Sequence, residues 1–463
     1  MKEKIVFSAF SPTDYRYAVP ELRDFCTEAA FVKYKARVEA AVARAFAKRG
    51  ILREELCDEI VEAASKVTAE EVRAEEQKTR HDIRALVNAI RNRVSDEAKP
   101  FVHLSATSYD IVDTANALRY KNAVQKVILP EMLALERVWI ELARREKETL
   151  QIGRTHGQHA EPLTFGFAIS QYVSRWGSRI LRLREASENL VGKFSGAVGA
   201  YNATSLLFDG DPDAPEEFER EVLSLLGVKP AAVSTQIVPP EPLCDFVHAV
   251  VSSFSVLANF CDDIRHLQRT EIAEVRERVA EGQVGSSTMP HKRNPAGLEG
   301  VKSLWKRFMP QVVTTHLDQI SEHQRDLTNS ASQRYTQELL VVFAYCVRRL
   351  TGISKRLEVD RARMLANFQI SAGDIVAEPL YILLSYYGHP DAHEFVRRKS
   401  LQAYEERKSL REVVERADEI LPYLRKFTSE QRAKVFDAEK YVGRAAEKAE
   451  RVASYWEEVL KGL

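Results

Sequence analysis

The chain has 463 residues, 45% hydrophobic and 29% charged, with 67 basic side chains against 67 acidic ones and a net charge of zero. That length ordinarily divides into about two to four domains with ample core, and the charge balance argues against a protein built around nucleic acid or an anionic membrane. Cys26, Cys57, Cys244, Cys261 and Cys346 are scattered and form no C-x-x-C pair, so neither a disulfide framework nor a zinc site is expected, and a reducing compartment fits.

The opening residues, MKEKIVFSAFSPTDYRY, hold no long apolar run, so no signal peptide is expected. From Glu21 to Gly50 apolar residues recur at three- and four-residue steps, predicting a helix that stops at Gly50. The same pattern predicts long helices over 127–150, 169–191, 243–275 and 340–359. The least charged run, Phe246–Cys261, is shorter than the roughly 20 apolar residues of a membrane span and carries His248, so it reads as a buried helix. Glycine and proline cluster between these runs, and irregular structure is expected at Phe101–Asp113, Gly153–Gly166, Phe194–Thr204, Phe208–Glu216 and Ser234–Pro242. Long helices with little strand pattern imply an all-α, elongated bundle. Divisions near 106 and 356 separate a helical head (1–106), a long-helix middle (107–356) and a helical tail (357–463).

Four segments could carry chemistry. In GRTHGQHAEPLTFG, His156 and His159 lie near Glu161, but Gly157 and Pro162 argue against a regular helix presenting both rings, and no H-E-x-x-H spacing exists, so no metal is expected. An imidazole in an irregular segment suits acid–base work; paired structural histidines are the plain alternative. In FVHLSATSYDIVDTANALRY, Thr107, Ser108, Asp110, Asp113 and Thr114 read either as helix caps or as a carboxylate seat at a helix start. Arg80, His81 and Asp82 precede an amphipathic helix, and Ser330 and Arg334 would share a helical face near Arg325, able to hold a phosphate; solvated polar turns are the bland readings. The fourth, GQVGSSTMPHKRNPAGLEG (Gly282–Gly300), has small residues like a P-loop but not its order, and no strand is expected before it. By itself it reads as an anion-friendly loop in which Lys292 and Asn294 could clamp a carboxylate.

Together these segments resemble the fumarase/aspartase superfamily, whose signature runs G-S-S-x-M-P-x-K-x-N. GRTHGQHAEPLTFG, TSYDIVDTA and DIRHLQRTEIAEV are similar to the adenylosuccinate lyases within it. The resemblance runs from Arg16-Tyr17 to SAGDIVAEPLYILLSYYG. It implies an all-α fold of three domains around a long helical core, in a homotetramer whose active sites each draw on three chains. It implies a cytoplasmic lyase without cofactor that β-eliminates fumarate from a succinylated purine nucleotide. Position by position, Ser286 matches the base and His156 the acid. Lys292, Asn294, Thr107 and Ser108 match carboxylate-binding positions, and Gln236 a substrate amide contact. Arg16, Tyr17, Arg80, His81, Asp82, Arg325, Ser330 and Arg334 match positions around the nucleotide and its phosphate. His103 matches a polar active-site position, His159 supports His156, and Glu299 matches an acid that orients Lys292 or the histidine.

Some positions depart from the pattern. Pro240 and Glu241 stand where an Arg-Asp pair is common, Ser105 and Tyr109 replace a usual Gly and Ser, and Leu298 replaces a usual Ser. A muconate cycloisomerase-like relative shares the MPHKRNP form of the signature, and a silent structural protein on the scaffold is the reading from another class.

Overall fold

The computed structural model describes residues 10–278, 288–289 and 291–463. Among the described residues helix dominates, and the strands form three two-stranded pieces. The chain divides into two compact units. The first comprises Met1–Leu133, Ser178–Ala258 and Val301–Arg349, and the second Ala134–Gly177, Asn259–Gly300 and Leu350–Leu463.

In the first unit, the run from Glu21 does not form one helix. Thr27 adopts an extended conformation (φ −79°, ψ 162°) and its hydroxyl accepts from the Ala30 N–H, capping a new helix over Glu28–Lys48. A side-chain oxygen that captures a free N–H of the first turn restarts a helix at little cost, and apolar periodicity does not register it. That helix ends where expected, with Gly50 at φ +72°. It packs against the helices Glu54–Lys66, Ser108–Ala123 and Ala214–Leu226. Buried contacts such as Phe46 on Phe218 (4.6 Å between centroids) fill the space between them.

The apolar run at 246–261 belongs to a longer helix, Glu241–Leu267, of 27 residues. It is long and apolar enough to cross a membrane, but 67% of its most apolar window is buried within the protein, as the buried-helix reading expects.

In the second unit, Trp139 stacks on Phe260 at 4.6 Å, lies 5.9 Å from Trp176, and donates its indole N–H to Ser354 Oγ at 3.1 Å. Leu150–Thr155 and Gln158–Thr164 form an antiparallel hairpin where irregular structure was expected. Its Ile152 clusters with Phe368, Ile375 and Ala438. Helix Arg361–Ser371 packs on the first strand, and helix Ala445–Lys461 touches the second. A short strand, Val275–Arg276, pairs with Glu358–Val359 and precedes the signature, where no strand was expected. The tail helices enclose their own core around Leu380, Leu384, Phe395, Val414 and Ile420.

Candidate active site

The Thr-Ser motif begins a helix at Ser108, earlier than the irregular stretch to Asp113 suggested. Thr107 is its N-cap in a capping box, and Asp110 Oδ2 accepts from the Thr107 N–H at 2.8 Å. The other oxygen, Oδ1, pairs with Lys193 and accepts from the Gly196 N–H at 3.3 Å; both side chains are fully buried. Lys193 also donates to the Gly196 carbonyl at 3.0 Å. The cap reading therefore holds, and the motif is also tied to a distant loop by a buried ion pair that motif reading missed. A lysine is rarely fully buried unless paired, so the sequence alone gave little reason to look for Lys193 there.

The same unit holds further candidates, with Arg325 at that helix start. Arg325 lies over the Tyr109 ring, 3.4 Å from its centroid, and its Nη2 donates to the Tyr109 hydroxyl at 2.6 Å. Burial first, and the fields of Asp113 and Asp82 further, push the Tyr109 hydroxyl up against the pull of Arg325. His103 sits at φ +67° with Nδ1 2.7 Å from Glu39 Oε1. Burial works against its charge, but the Glu39 carboxylate prevails and the imidazole is raised above its ordinary range. Arg80 closes a helix at φ +53°, and His81 Nδ1 caps the next by accepting from the Arg84 N–H at 3.3 Å. Asp82 pairs with the buried Lys35 at 3.6 Å.

Arg16 is exposed and Tyr17 packs edge-on against Tyr345 at 5.3 Å. Gln236 donates its backbone N–H to the Gln324 carbonyl at 3.3 Å. Ser330 and Arg334 do not share an α-helical face. Ser330 lies in a turn, donating to the Leu327 carbonyl at 2.9 Å, and Arg334 lies in the 3-10 helix Ser332–Tyr335. Asp326 opens that turn by accepting from the Thr328 backbone and hydroxyl, a competition with helix that short polar side chains commonly win.

The departures also have local causes. The Pro240 carbonyl accepts from the Leu243 and Cys244 N–H groups, so Pro240 and Glu241 start the long helix, a place that tolerates proline and favours an acid. Beside them, Asp113 accepts from the Val238 N–H at 3.0 Å, and burial pushes its carboxyl up to about 6. Ser105 sits at φ +58° with its hydroxyl buried and without a hydrogen-bond partner among the described residues, a backbone suited to the glycine it replaces.

The second unit holds the remaining candidates. His156 and Gly157, at φ +54° and +77°, form the two-residue turn of the hairpin, and His156 is exposed at its tip. Both central residues at positive φ match a type I′ turn, in which glycine supplies one position at no steric cost. His159 pairs across from Arg154 and its Nδ1 lies 2.8 Å from Ser371 Oγ. Burial, then the Arg154 charge, lower its pKa and favour the neutral ring. The two rings thus play different parts, one presented and one anchored. A cavity of about 1080 Å³ is lined by Arg154, Gly157, His159, Tyr172, Asp263 and Arg269, among others.

Of the signature, Lys292 is exposed, with its N–H on the Met289 carbonyl at 2.9 Å, and Asn294 is half-buried. Glu299 lies in the first turn of helix Ala296–Phe308, 3.7 Å from Arg265. Ser286 lies outside the described residues.

Known proteins carry the same organisation. Family models described as "Lyase" and "Adenylosuccinate lyase C-terminal" match residues 14–309 and 321–432. The chain is 34% identical over 454 residues to the adenylosuccinate lyase of Archaeoglobus fulgidus, covering 97% of this chain and 99% of that one. It is 37% identical over 457 residues to that of Pyrococcus abyssi, with the same coverage. Among solved structures, the 3-carboxy-cis,cis-muconate lactonizing enzyme of Pseudomonas putida superposes with a TM-score of 0.80 at 25% identity, over 96% of this chain and 98% of that chain. A fumarate lyase from Mesorhizobium sp. BNC1, at TM-score 0.81 and 24% identity over 95% and 98%, shares the fold. The sequence matches run through all four motifs and nearly the full length, and the chain belongs to the adenylosuccinate lyase family of the fumarase/aspartase superfamily.

Proposed function

We propose that the chain β-eliminates fumarate from adenylosuccinate, giving AMP, and from succinylaminoimidazole carboxamide ribotide, two steps of purine biosynthesis. The observation that carries this reading is identity of 34–37% to adenylosuccinate lyases over 97% of the chain, with the elimination motifs intact. Solved muconate-type enzymes share the fold, but the family match to residues 321–432 is with the adenylosuccinate lyase tail.

In this reading Ser286 removes the proton beside a succinyl carboxylate. The electron pair passes into that carboxylate as a dianionic aci form, then forms the fumarate double bond as the carbon–nitrogen bond breaks. His156 delivers a proton to the departing nitrogen. Charge building on the carboxylate oxygens calls for fixed donors, usually the largest catalytic contribution. Lys292 and Asn294 supply an ammonium and an amide, and the capped start of the Ser108 helix supplies hydroxyls and backbone N–H groups. Serine is a weak base until donors stabilise its alkoxide, so Ser286 acts once substrate and loop are in place.

His159, held to Ser371 and neutral, keeps the hairpin that presents His156. Glu299 orients Lys292 or the histidine. Gln236 contacts the substrate amide, His103 is a polar group of the site, and Arg16, Tyr17, Arg80, His81, Asp82, Arg325, Ser330 and Arg334 surround the nucleotide and its phosphate. Arg325, stacked and hydrogen-bonded on Tyr109, has the preorganised fork that suits a phosphate.

The assembly is a homotetramer in which three chains build each site, with the domain divisions near 106 and 356, and it works in the cytoplasm. An exposed histidine at a hairpin tip suits reach into a site completed by other copies. The test is fumarate release from both purine substrates by the wild type and by His156→Ala. Turnover is expected in the wild type. In the variant it should fall about 10²–10⁴-fold while substrate still binds; loss of binding would assign His156 a structural role instead.

A further inference from the structure

Glu274 is fully buried at the start of the short strand Val275–Arg276. Its carboxylate accepts from Gln151 Nε2 at 2.8 Å, Arg154 Nη2 at 2.6 Å and Nη1 at 3.3 Å, and Asn367 Nδ2 at 2.9 Å. Gln151 and Arg154 belong to the first strand of the hairpin, Arg154 just before the His156 turn, and Asn367 belongs to helix Arg361–Ser371. The Glu274 backbone is held too, its N–H on the Leu267 carbonyl and its carbonyl accepting from the Asp360 N–H, both at 2.9 Å. The preceding Ala273 sits at φ +54°, a conformation that persists only when its surroundings over-determine it.

Shortly after Glu274, Glu277 bonds the other side of the signature. Its Oε2 accepts from the Gly297 and Leu298 N–H groups at 3.1 and 3.3 Å, in the first turn of helix Ala296–Phe308. A Cβ on Gly297 would lie 2.2 Å from Glu277 Oε1, so glycine is what admits the carboxylate. Gln268 accepts from the Glu277 N–H at 2.9 Å and donates to the Arg293 carbonyl at 3.3 Å. The run Glu274–Glu277 is therefore bonded to the hairpin of His156 on one side and to the segment of Lys292, Asn294 and Glu299 on the other.

We infer that Glu274 is a positioning residue for the elimination, holding the acid-bearing hairpin through Arg154 in one frame with the Arg293–Glu299 end of the signature, which Gln268 and Glu277 bond. This rests on the catalytic reading of His156 and the signature; Glu274 touches no reacting atom in it. A buried Arg–carboxylate pair is weak evidence for stability, since apolar residues of similar volume often serve as well. Its bidentate geometry instead fixes register. Whether the hairpin and the signature of one chain serve one substrate or two, a shift at Glu274 moves both.

The test uses the full-length chain as wild type, Arg154→Met, Arg154→Lys, Glu274→Gln and the double variant Arg154→Met/Glu274→Gln. It combines steady-state fumarate release, thermal unfolding and hydrogen exchange. Arg154→Met is expected to lower kcat about 30-fold, since small misplacements of reacting groups are costly, with KM within about threefold; it also lowers Tm, because the Glu274 carboxylate stays buried without its cation, and the double variant regains part of that loss. Exchange should rise together in 150–160, 268–278 and 291–300. The double variant should be no slower than the slower single one, and Arg154→Lys should recover to within about tenfold of wild type. Wild-type kcat in a folded Arg154→Met, a loss confined to KM, multiplying effects in the double variant, or exchange rising in the hairpin alone would each overturn the proposal. If Arg154→Met does not fold, Arg154→Lys carries both readouts, and wild-type kcat and exchange in it overturn the proposal. A wild type that releases no fumarate fails the underlying reading instead, and the exchange measurement still decides whether the two segments loosen together.

Discussion

Glu136 lies in helix Leu129–Arg145, fully buried, with both carboxylate oxygens lacking hydrogen-bond partners among the described residues. Burial raises its carboxyl well above the ordinary range. A carboxyl whose folded-state pKa is raised binds its proton more tightly in the folded chain. Its contribution is therefore complete below the unfolded value of about 4.3 and is lost as pH climbs toward the folded value. Glu136→Gln removes that titration, so the variant should unfold at higher temperature than the wild type at pH 8, with the gap narrowing at pH 5. Thermal unfolding of both proteins across that range checks it, and a gap independent of pH would contradict it. Single residues were unevenly legible. The Thr107 cap follows from local chemistry, because caps are built from adjacent residues. Glu39 under His103, Lys193 under Asp110 and Glu274 under Arg154 were not legible, because each partner lies far away in the sequence and carries no local signal.

Gly177 sits inside helix Phe165–Glu188, where a Cβ would come within 2.3 Å of the Trp456 ring. The missing side chain lets helix Ala445–Lys461 dock with its indole against the backbone. Alanine would favour the helix by about 1 kcal/mol, while forcing a methyl into a packed, rigid ring costs about 1–3 kcal/mol. Gly177→Ala should therefore lower Tm, and Gly177→Ala/Trp456→Ala should lose less than the two single changes added together. Additive losses in thermal unfolding would separate the two residues. At this scale the long helices were the most legible feature, because a 3.6-residue period repeats over many turns. The hairpin was the least legible. Its second strand contains Pro162, and Ile152 gains its packing from Phe368, Ile375 and Ala438, so tertiary contacts decide a segment whose own pattern is undecided.

Across the whole molecule, the nucleotide-side candidates fall in one unit and His156, Lys292, Asn294 and Glu299 in the other, with Ser286 outside the described residues. The family was legible because its motifs are short, local and ordered along the chain; the geometry that joins them was not, since order in sequence carries no distance. If separate chains complete each site, mixing inactive His156→Ala with inactive Ser286→Ala and allowing subunits to exchange should restore activity. Random assortment gives about a quarter of wild-type turnover per site in an equal mixture. A mixture that stays inactive after demonstrated exchange would place both residues on the same chain's site. The most direct test of the whole account is fumarate release from adenylosuccinate by the wild type beside Ser286→Ala. Turnover is expected in the wild type and a loss of about 10²–10⁴-fold in the variant. No turnover by the wild type with either purine substrate would contradict it, and undiminished turnover in Ser286→Ala would remove the serine as base.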